Sequence, residues 1–267
     1  MNGSVPSRGD HARSGRRVLA ANAVTKQFAK DGAAIVALDQ LTVSIAEGSF
    51  VTVLGRSGCG KSTLLNLLAG LVPPTTGEIH YRDRVLTGPD TGIGYLTQTD
   101  TLMPWRDVRR NIELPLEIRG LPAARRREIA RDLVERVGLG GFEKHYPREL
   151  SGGMRRRASL VRMLAGSPET LLMDEPFGAL DAQLRTELQQ DLLALWQGTG
   201  QTVVFVTHDI DEALLLGDRV VVLGPLGRIL LDREIGLARP RSADALRTDP
   251  AFVALHRELS AALRQGR

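Results

Sequence analysis

The chain has 267 residues, of which 42% are hydrophobic and 25% are charged, and its formal net charge is +4. This composition is typical of a globular protein, and the length allows one large α/β domain or a domain with a subdomain. No apolar run approaches the roughly 18 residues of a membrane span, and the N-terminus lacks the apolar segment of a signal peptide. The positive charges are spread out, so we expect no nucleic-acid partner. The single cysteine, Cys59, excludes an internal disulfide and fits a reducing cytoplasm.

The first third of the chain is predicted to be mainly strand. Residues 1–17 show no periodicity and predict a disordered tail. Residues 18–50 alternate in short apolar patterns, with breaks at Asp31-Gly32 and Glu47-Gly48, which predicts antiparallel strands. A strand, a glycine-rich loop and a helix over residues 62–71 follow. A strand pair over residues 78–85 and a short strand over residues 92–96 complete this part.

The middle of the chain changes character. Residues from about 100 to 165 lose strand patterns and show charged, amphipathic helical ones, which predicts an inserted helical subdomain. The later elements are predicted as strands over 170–173 and 202–206, a helix over 182–197, a hairpin over 219–231, and a short amphipathic helix over 249–267.

A glycine-rich loop follows the apolar strand of residues 50–54 and precedes a helix. It reads Gly55, Arg56, Ser57, Gly58, Cys59, Gly60, Lys61, Ser62 and Thr63. Two glycines separated by four positions and followed by Lys and Ser form the pattern that cradles a nucleoside di- or triphosphate with backbone N–H groups. Lys61 is expected to reach the β- and γ-phosphates, and the Ser62 hydroxyl to hold Mg²⁺.

Two carboxylates end the apolar strand that begins near residue 170. Asp174 at the strand tip is expected to hold Mg²⁺ through water, and Glu175 to orient or deprotonate a water that attacks the γ-phosphate. By itself such a pair would more often be a solvated strand end. The phosphate loop earlier in the chain, and the turn fixed by Pro176, favour the functional interpretation.

A second anion site is predicted at the start of another helix. Ser151 is a natural N-cap, and Gly152 and Gly153 leave the backbone N–H groups bare. The stretch from Leu150 to Met154 resembles the signature sequence of ATP-binding cassette (ABC) ATPases. That resemblance covers about residues 18–235, and it makes a phosphate-loop kinase an unfavoured alternative.

Further motifs follow in the order of that family. Gln98 falls at the position of its Q-loop, Asp181 in its D-loop, His208 at its switch histidine, and Phe28 at the aromatic residue that stacks on adenine. The chain departs from the commonest pattern at Met154 and Arg156, where Gln is frequent.

The resemblance implies a fold and a mechanism. The fold is α/β, a phosphate-loop NTPase core with a RecA-like mixed sheet flanked by helices, an antiparallel β subdomain and the inserted helical subdomain. The ATPase domain is expected over residues 18–240, with a helical extension over 241–267. Two copies are expected to bind two ATP molecules head to tail, with Glu175 acting on water, His208 holding the γ-phosphate, and Gln98 contacting Mg²⁺ or water. Asp181 would couple the two sites.

Other segments resemble one importer class. The group Leu102-Met103-Pro104-Trp105, the signature Met154, the D-loop over 177–181 and the tail over 248–252 are similar to ATP-binding subunits for nitrate, sulfonate and taurine. The resemblance implies a separate membrane permease, an external solute-binding protein and a peripheral location on the cytoplasmic face of the inner membrane. The alternative is a soluble ABC ATPase that acts on ribosomes or DNA.

Three features stay open at the level of sequence. Cys59 is either a small filler or a reactive thiol whose pKa is lowered by Lys61 and the loop N–H groups. The Leu102–Trp105 group is either a groove for a partner helix or part of the helical core. The C-terminal helix is either a regulatory or dimer contact or a simple packed end.

Overall fold

The structure is a computed structural model that describes residues 16–30, 33–178, 180–242 and 248–266. Most of the predicted N-terminal tail, the predicted turn at Asp31-Gly32, Ala179 of the D-loop and part of the C-terminal extension therefore lie outside the described residues. None of the helices within the described ranges is long and apolar enough to cross a membrane.

The described residues form ten strands and seven α-helices. The strands are β1 (Arg17–Lys30), β2 (Ala33–Ala46), β3 (Phe50–Gly55), β4 (Thr76–Tyr81), β5 (Arg84–Val85), β6 (Ile93–Leu96), β7 (Thr170–Asp174), β8 (Thr202–Thr207), β9 (Arg219–Leu223) and β10 (Ile229–Glu234). The helices are α1 (Lys61–Leu68), α2 (Val108–Ile118), α3 (Ala123–Arg136), α4 (Gly152–Ala165), α5 (Ala182–Trp196), α6 (Ile210–Leu216) and α7 (Pro250–Gln265).

A four-stranded antiparallel sheet contains the N-terminal strands in the order β2-β1-β4-β5. The sequence predicts short strands here, but β1 and β2 each run for 14 residues. Register shifts at several points along their pairing let two long ribbons bend around the core without ending. The antiparallel subdomain is therefore confirmed, with fewer and longer strands than the apolar alternation suggests.

A six-stranded sheet forms the centre of the protein, in the order β10-β9-β3-β8-β7-β6. Strands β9, β3, β8, β7 and β6 pair in parallel, and only β10 pairs antiparallel, with β9. The predicted mixed sheet and late hairpin are confirmed. In β3 every residue is buried, because both faces of the sheet are covered.

The two faces of this sheet pack into separate apolar cores. In β3, Phe50 and Leu54 point to the core beneath α5, α6 and α7, whereas Val51 and Val53 point to the core shared with α1 and the antiparallel sheet. This alternation follows from the two-residue period of a strand. The phosphate loop that follows β3 is therefore anchored from both sides.

Helices α2, α3 and α4 build a third core. Its buried members include Ile112 of α2, Val134 of α3 and Val161 of α4. Leu102 is buried in this core, whereas Trp105 is 70% exposed. Leu102 therefore has the predicted role in the helical core, and Trp105 remains available for the predicted contact with a partner helix. Helix α4 also contributes to the core of the central sheet, and it joins the helical region to the sheet.

Two C-terminal helices cover the central sheet. Helix α6 is not predicted from the sequence, because its seven residues, in which Asp211 and Glu212 are followed by four apolar side chains, are too few to show a helical period. Helix α7 confirms the predicted C-terminal helix and buries Phe252, Leu255 and Leu259 against the core. The packed end is therefore the role that its contacts support.

The carboxyl ends of the parallel strands lie together at one edge of the sheet. Leu54 of β3 is level with Thr207 of β8, and Asp174 of β7 is level with Val206 of β8. Polar residues that follow these strands therefore meet at this edge, which is where open α/β sheets bind ligands.

Candidate functional site

The loop after β3 requires glycine at several positions. Gly58 and Gly60 have φ of 83° and 103°, in the region that favours glycine. A Cβ at Gly60 would lie 2.8 Å from the Ala37 carbonyl oxygen, and one at Gly55 would lie 2.8 Å from that of Leu223. Because Gly60 offers no side chain at the N-cap of α1, the N–H groups of the first turn remain directed at the loop.

Lys61 lies inside this loop. Its side chain is only 5% exposed, and Nζ donates to the carbonyl oxygens of Gly55 at 2.8 Å and Arg56 at 3.0 Å. The same Nζ lies 3.5 Å from Oε1 of Glu175. The folded chain therefore places an ammonium group at the centre of the loop.

Ser62 and Asp174 form a small oxygen-rich pair beside the lysine. The Ser62 hydroxyl hydrogen-bonds the Asp174 carboxyl group. Burial raises the pKa of Asp174, and the nearby Glu175 charge raises it further, while the Ser62 bond acts in the opposite direction. Oδ1 of Asp174 is buried and has no hydrogen-bond partner. One hydroxyl and one carboxylate with an unused oxygen are the donor set that suits Mg²⁺ in phosphate-binding sites.

Glu175 is held in a strained turn at the end of β7. Its φ is 41°, which is uncommon for a residue with a side chain, and its N–H donates to the Val206 carbonyl oxygen at 3.0 Å. Oε2 lies 3.1 Å from Nδ1 of His208, while Oε1 faces Lys61. The backbone strain and these two contacts fix the carboxylate between two loops.

Gln98 and Phe28 lie outside this cluster of contacts. Gln98 follows Leu96, the end of β6, and is exposed; no hydrogen bond or ion pair found among the described residues joins it to Lys61 or Glu175. The Phe28 ring lies on β1, is 42% exposed, and has Lys26 Nζ 5.1 Å from its centroid. An exposed aromatic face of this kind is available for stacking.

The start of α4 carries the predicted second anion site. Ser151 caps the helix, and its Oγ accepts a hydrogen bond from the Met154 N–H at 3.2 Å. Ser151 and Gly152 are exposed, whereas Gly153 is buried. A Cβ on Gly153 would lie 2.3 Å from Leu184 Cδ2, so this glycine also allows α4 to approach α5 closely. Met154 packs against the helical core, which explains an apolar side chain at this position.

Asp181 begins α5 and caps it by accepting a hydrogen bond from the Leu184 N–H at 2.9 Å. Within the described part of the chain, no hydrogen bond or ion pair joins residues 151–153 to the phosphate loop. The two predicted anion sites are thus separate features of one chain.

Ser57, Cys59 and Thr63 complete the loop and the start of α1, and the structure decides between the two roles left open for Cys59. Ser57 is exposed in the loop, and Thr63 lies on the first turn of α1. Cys59 is 6% exposed, and burial raises the pKa of its thiol although the Lys61 charge opposes this. The alternative of a thiol with a lowered pKa is therefore wrong, because desolvation outweighs the nearby charge.

A buried network behind His208 was not predicted. Thr207 Oγ1 donates to Glu212 Oε2 at 2.6 Å, and Gln189 Nε2 donates to Glu212 Oε1 at 3.0 Å. The same Thr207 hydroxyl accepts from the Asp209 N–H at 3.0 Å. Burial raises the pKa of Glu212. An acidic residue within the apolar run of α6 was the available signal, and it was missed together with that helix.

The phosphate-loop NTPases are the class that this fold and this site define. Their glycine loop joins a central parallel strand to the N-terminus of a helix, and their acidic residues end a neighbouring strand. Here the loop joins β3 to α1, and Asp174 and Glu175 end β7, two strands away in the same sheet.

Comparisons with known proteins identify the family. The family model described as ABC transporter matches residues 38–178. An uncharacterized ABC transporter ATP-binding protein, MJ0412 of Methanocaldococcus jannaschii, is 48% identical over 224 residues, which are 84% of each chain. The taurine import ATP-binding protein TauB of Escherichia coli is 43% identical, over 82% of this chain and 88% of TauB.

A solved structure of an ATP-binding cassette has a similar fold. The ATP-binding cassette MJ0796, in a dimeric post-hydrolysis state bound to ADP and Pi, aligns with a TM-score of 0.75 and 33% identity. The alignment covers 82% of this chain and all of that one. The chain therefore belongs to the ABC transporter family, and it is an ATPase of the ABC type.

Proposed function

We propose that Glu175 is the group that activates the attacking water for ATP hydrolysis. The observation that carries this proposal is the line of contacts from Lys61 through Glu175 to His208, at 3.5 Å and 3.1 Å. A carboxylate between the phosphate-binding lysine and a histidine is placed to accept a proton from water next to the γ-phosphate. His208 then orients the γ-phosphate and the water, and Gln98, which is exposed in the loop after β6, would contact the water or Mg²⁺ once nucleotide is bound.

The residues that hold the triphosphate are those of the glycine loop. The N–H groups of residues 55–63 cradle the phosphates, Lys61 neutralises their charge, and Phe28 stacks on the adenine ring. Ser62 and Asp174 would hold Mg²⁺, and the ion would supply charge neutralisation for the phosphates. The unpartnered Oδ1 of Asp174 supports this assignment.

Two copies of the chain form the complete site. Residues 151–153 present a capped helix start that no described contact ties to the phosphate loop of the same chain, so in this proposal they bind the ATP held by a second copy. Asp181, at the start of α5, couples the two sites. The dimeric state of MJ0796 with ADP and Pi supports this arrangement.

An apolar groove near the amino end of β6 is the proposed contact for a membrane permease. It lies between the edge strand β6 and α2, has a volume of about 280 Å³, and is lined by apolar groups that include Ile93, Leu114 and Ile118. Ile118 is 73% exposed, and Trp105 adds a second exposed apolar side chain before α2. Exposed apolar grooves of this kind accept a partner helix. Because β6 leads into Gln98, the partner would be linked to the nucleotide site.

The proposed biological role is import of a small solute. TauB is named for taurine import, and the sequence resemblance extends to nitrate and sulfonate systems. The ATPase domain of residues 18–240 would lie peripherally on the cytoplasmic face of the inner membrane. The permease and an external solute-binding protein would choose the solute, and residues 241–267 form an extension to the domain.

Site-directed cross-linking tests this role. Ile118→Cys, in a Cys59→Ser background that leaves one thiol, is expressed in its host and treated with a short thiol-to-amine cross-linker in native membranes. We expect one adduct with a multi-span membrane protein, and none from the exposed control Arg264→Cys. Adducts with ribosomal or DNA-repair proteins instead would contradict the importer role and leave the ATPase chemistry intact.

A further inference from the structure

Arg156 on α4 is a buried arginine that spans two loops of the proposed site. Its side chain is 5% exposed. Nε donates to the Pro176 carbonyl oxygen at 2.6 Å, and Nη1 donates to the Thr97 carbonyl oxygen at 2.7 Å. Thr97 immediately precedes Gln98, and Pro176 immediately follows Glu175. One planar guanidinium therefore fixes the distance between the backbones that carry these two side chains.

The burial of Arg156 is unfavourable for folding. No carboxylate forms an ion pair with it within the described residues, and its Nη2 is buried without a hydrogen-bond partner. Burial lowers the pKa of the guanidinium, while the charges of Asp100 and Asp174 act in the opposite direction from beyond contact distance. An apolar side chain of similar volume would avoid the desolvation of this cation. Stability alone therefore does not explain an arginine here.

Helix α4 connects the hydrogen bonds of Arg156 to the predicted second anion site at Ser151. The helix begins at Ser151, the proposed contact with the ATP of a second copy, and Arg156 lies little more than one turn further on. A shift of the helix start would move the guanidinium, and with it the carbonyl groups of Thr97 and Pro176 together. The contacts thus link the start of α4 to both loops.

We propose that Arg156 is a positioning residue, which sets the relative placement of Gln98 and Glu175 and transmits movements of the α4 start to both. This inference rests on the roles proposed above for Gln98 and Glu175. Arg156 itself contacts only backbone carbonyl groups, so its effect is on geometry rather than on bond making.

The test is Arg156→Met, which keeps most of the volume and removes the charge and both hydrogen bonds. We expect the Tm to stay the same or rise, and nucleotide affinity to stay within about twofold. The kcat for ATP should fall about 10- to 100-fold, because misplacement of catalytic groups by about 1 Å has effects of this size. Hydrogen exchange should increase at residues 175–178 and stay unchanged in α1.

Arg162→Met is the matched control. Arg162 lies on the same helix, burial also lowers its pKa, and it donates to the Thr101 carbonyl oxygen at 2.6 Å, away from Glu175. We expect its kcat to stay within about twofold of the parent and its exchange at residues 175–178 to be unchanged. Arg156→Lys, which keeps the charge on a single donor nitrogen, should give an intermediate kcat, and it replaces Arg156→Met if that variant does not fold.

Two results would overturn the proposal. An unchanged kcat in Arg156→Met would show that the bonds do not set the active geometry. A fall in kcat matched by Arg162→Met, or explained by loss of folded protein, would indicate a purely structural arginine. Glu175→Gln separates this from failure of the proposed function: if that variant keeps full turnover, the site assignment itself is wrong.

Discussion

At the scale of single residues, the candidate site and the network behind it contain carboxyl groups whose charged form is disfavoured by burial. Asp174 and Glu212 lie in the interior, and burial raises the pKa of each carboxyl group. A raised pKa in the folded state means that the protonated form favours folding. This contribution is present at low pH and is lost as the pH rises through the folded pKa. At neutral pH both carboxylates therefore reduce the stability of the folded protein. For Asp174 this cost agrees with its proposed role as a ligand of Mg²⁺, whose charge would offset it.

Asp174→Asn tests this for the proposed metal ligand. The variant keeps the shape of the side chain and removes its charge, so in metal-free buffer it should raise the Tm at pH 8 more than at pH 5. The stabilisation that MgATP gives to the parent protein should shrink in the variant. Scanning calorimetry with and without MgATP measures both effects.

Asp249→Asn provides the control for that experiment. Asp249 caps α7 by accepting from the Ala251 N–H at 2.7 Å, and asparagine caps helices as well as aspartate does. The Tm of Asp249→Asn should differ little from that of the parent protein, and by the same amount at pH 5 and at pH 8. An equal response of Asp174→Asn at pH 5 and pH 8 would contradict the assigned cost of its charge.

Glu212→Gln tests the buried network behind His208. The amide can accept from Thr207 and adjust to Gln189, so the hydrogen bonds survive while the titrating group is lost. We expect the free energy of unfolding, measured in urea from pH 5 to pH 8, to fall less with rising pH than in the parent. Glu258→Gln, an exposed carboxylate 3.5 Å from Arg233, should leave that slope unchanged. A steeper slope in Glu212→Gln would refute the raised pKa.

At the scale of elements, the two glycines of the α4 start have different roles. A Cβ at Gly153 would lie 2.3 Å from Leu184 Cδ2, whereas the nearest atom to a Cβ at Gly152 is Arg155 Nη2, at 3.8 Å. Gly153→Ala should therefore reduce the free energy of unfolding by about 0.5–1.5 kcal/mol, because the Leu184 side chain must leave its rotamer to make room. Gly152→Ala should be neutral or slightly stabilising, because alanine favours a helix. Equal unfolding midpoints in urea for the two variants would disprove the packing role of Gly153.

The sequence predicts elements well where a local pattern is strong. The apolar strands β3, β7 and β8 and the N-cap Ser151 are predicted at the right places, because their burial and capping are encoded in short segments. Asp181 is predicted only as a D-loop residue, and its capping of α5 is seen in the folded chain. Helix α6 is not predicted, because seven residues, with two acidic ones followed by four apolar ones, show no helical period. The two roles of Gly153 also could not be separated, since Leu184 meets it only in the folded chain.

The candidate site, too, can be predicted only where a local sequence pattern is strong. The glycine loop, Lys61, Asp174 and Glu175 are readable from motif and spacing, and the structure brings them to one edge of the sheet. The bonds from Glu212 to Gln189 and from Arg156 to Pro176 and Thr97 join residues 20 to 59 positions apart in sequence. No local pattern encodes such contacts, so they emerge only from the packing of α4, α5 and α6.

At the scale of the whole molecule, one chain carries two proposed anion sites, and no described hydrogen bond or ion pair joins them. The glycine loop ends β3 in the central sheet, whereas residues 151–153 begin α4 in the helical region. Association of two copies in the presence of ATP would let each site serve the nucleotide of the other. In this proposal, ATP hydrolysis at Glu175 therefore depends on association with a second copy of the chain.

Glu175→Gln tests that claim most directly. Glutamine keeps the size of the side chain and can still contact Lys61 and His208, but it cannot accept a proton from water. We predict a fall in kcat for ATP hydrolysis of about 10²- to 10⁴-fold, retained ATP binding, and a stable ATP-bound dimer on size exclusion. Glu258→Gln should hydrolyse ATP as the parent does and return to monomer. Undiminished hydrolysis by Glu175→Gln, or a monomer with ATP bound, would contradict the account.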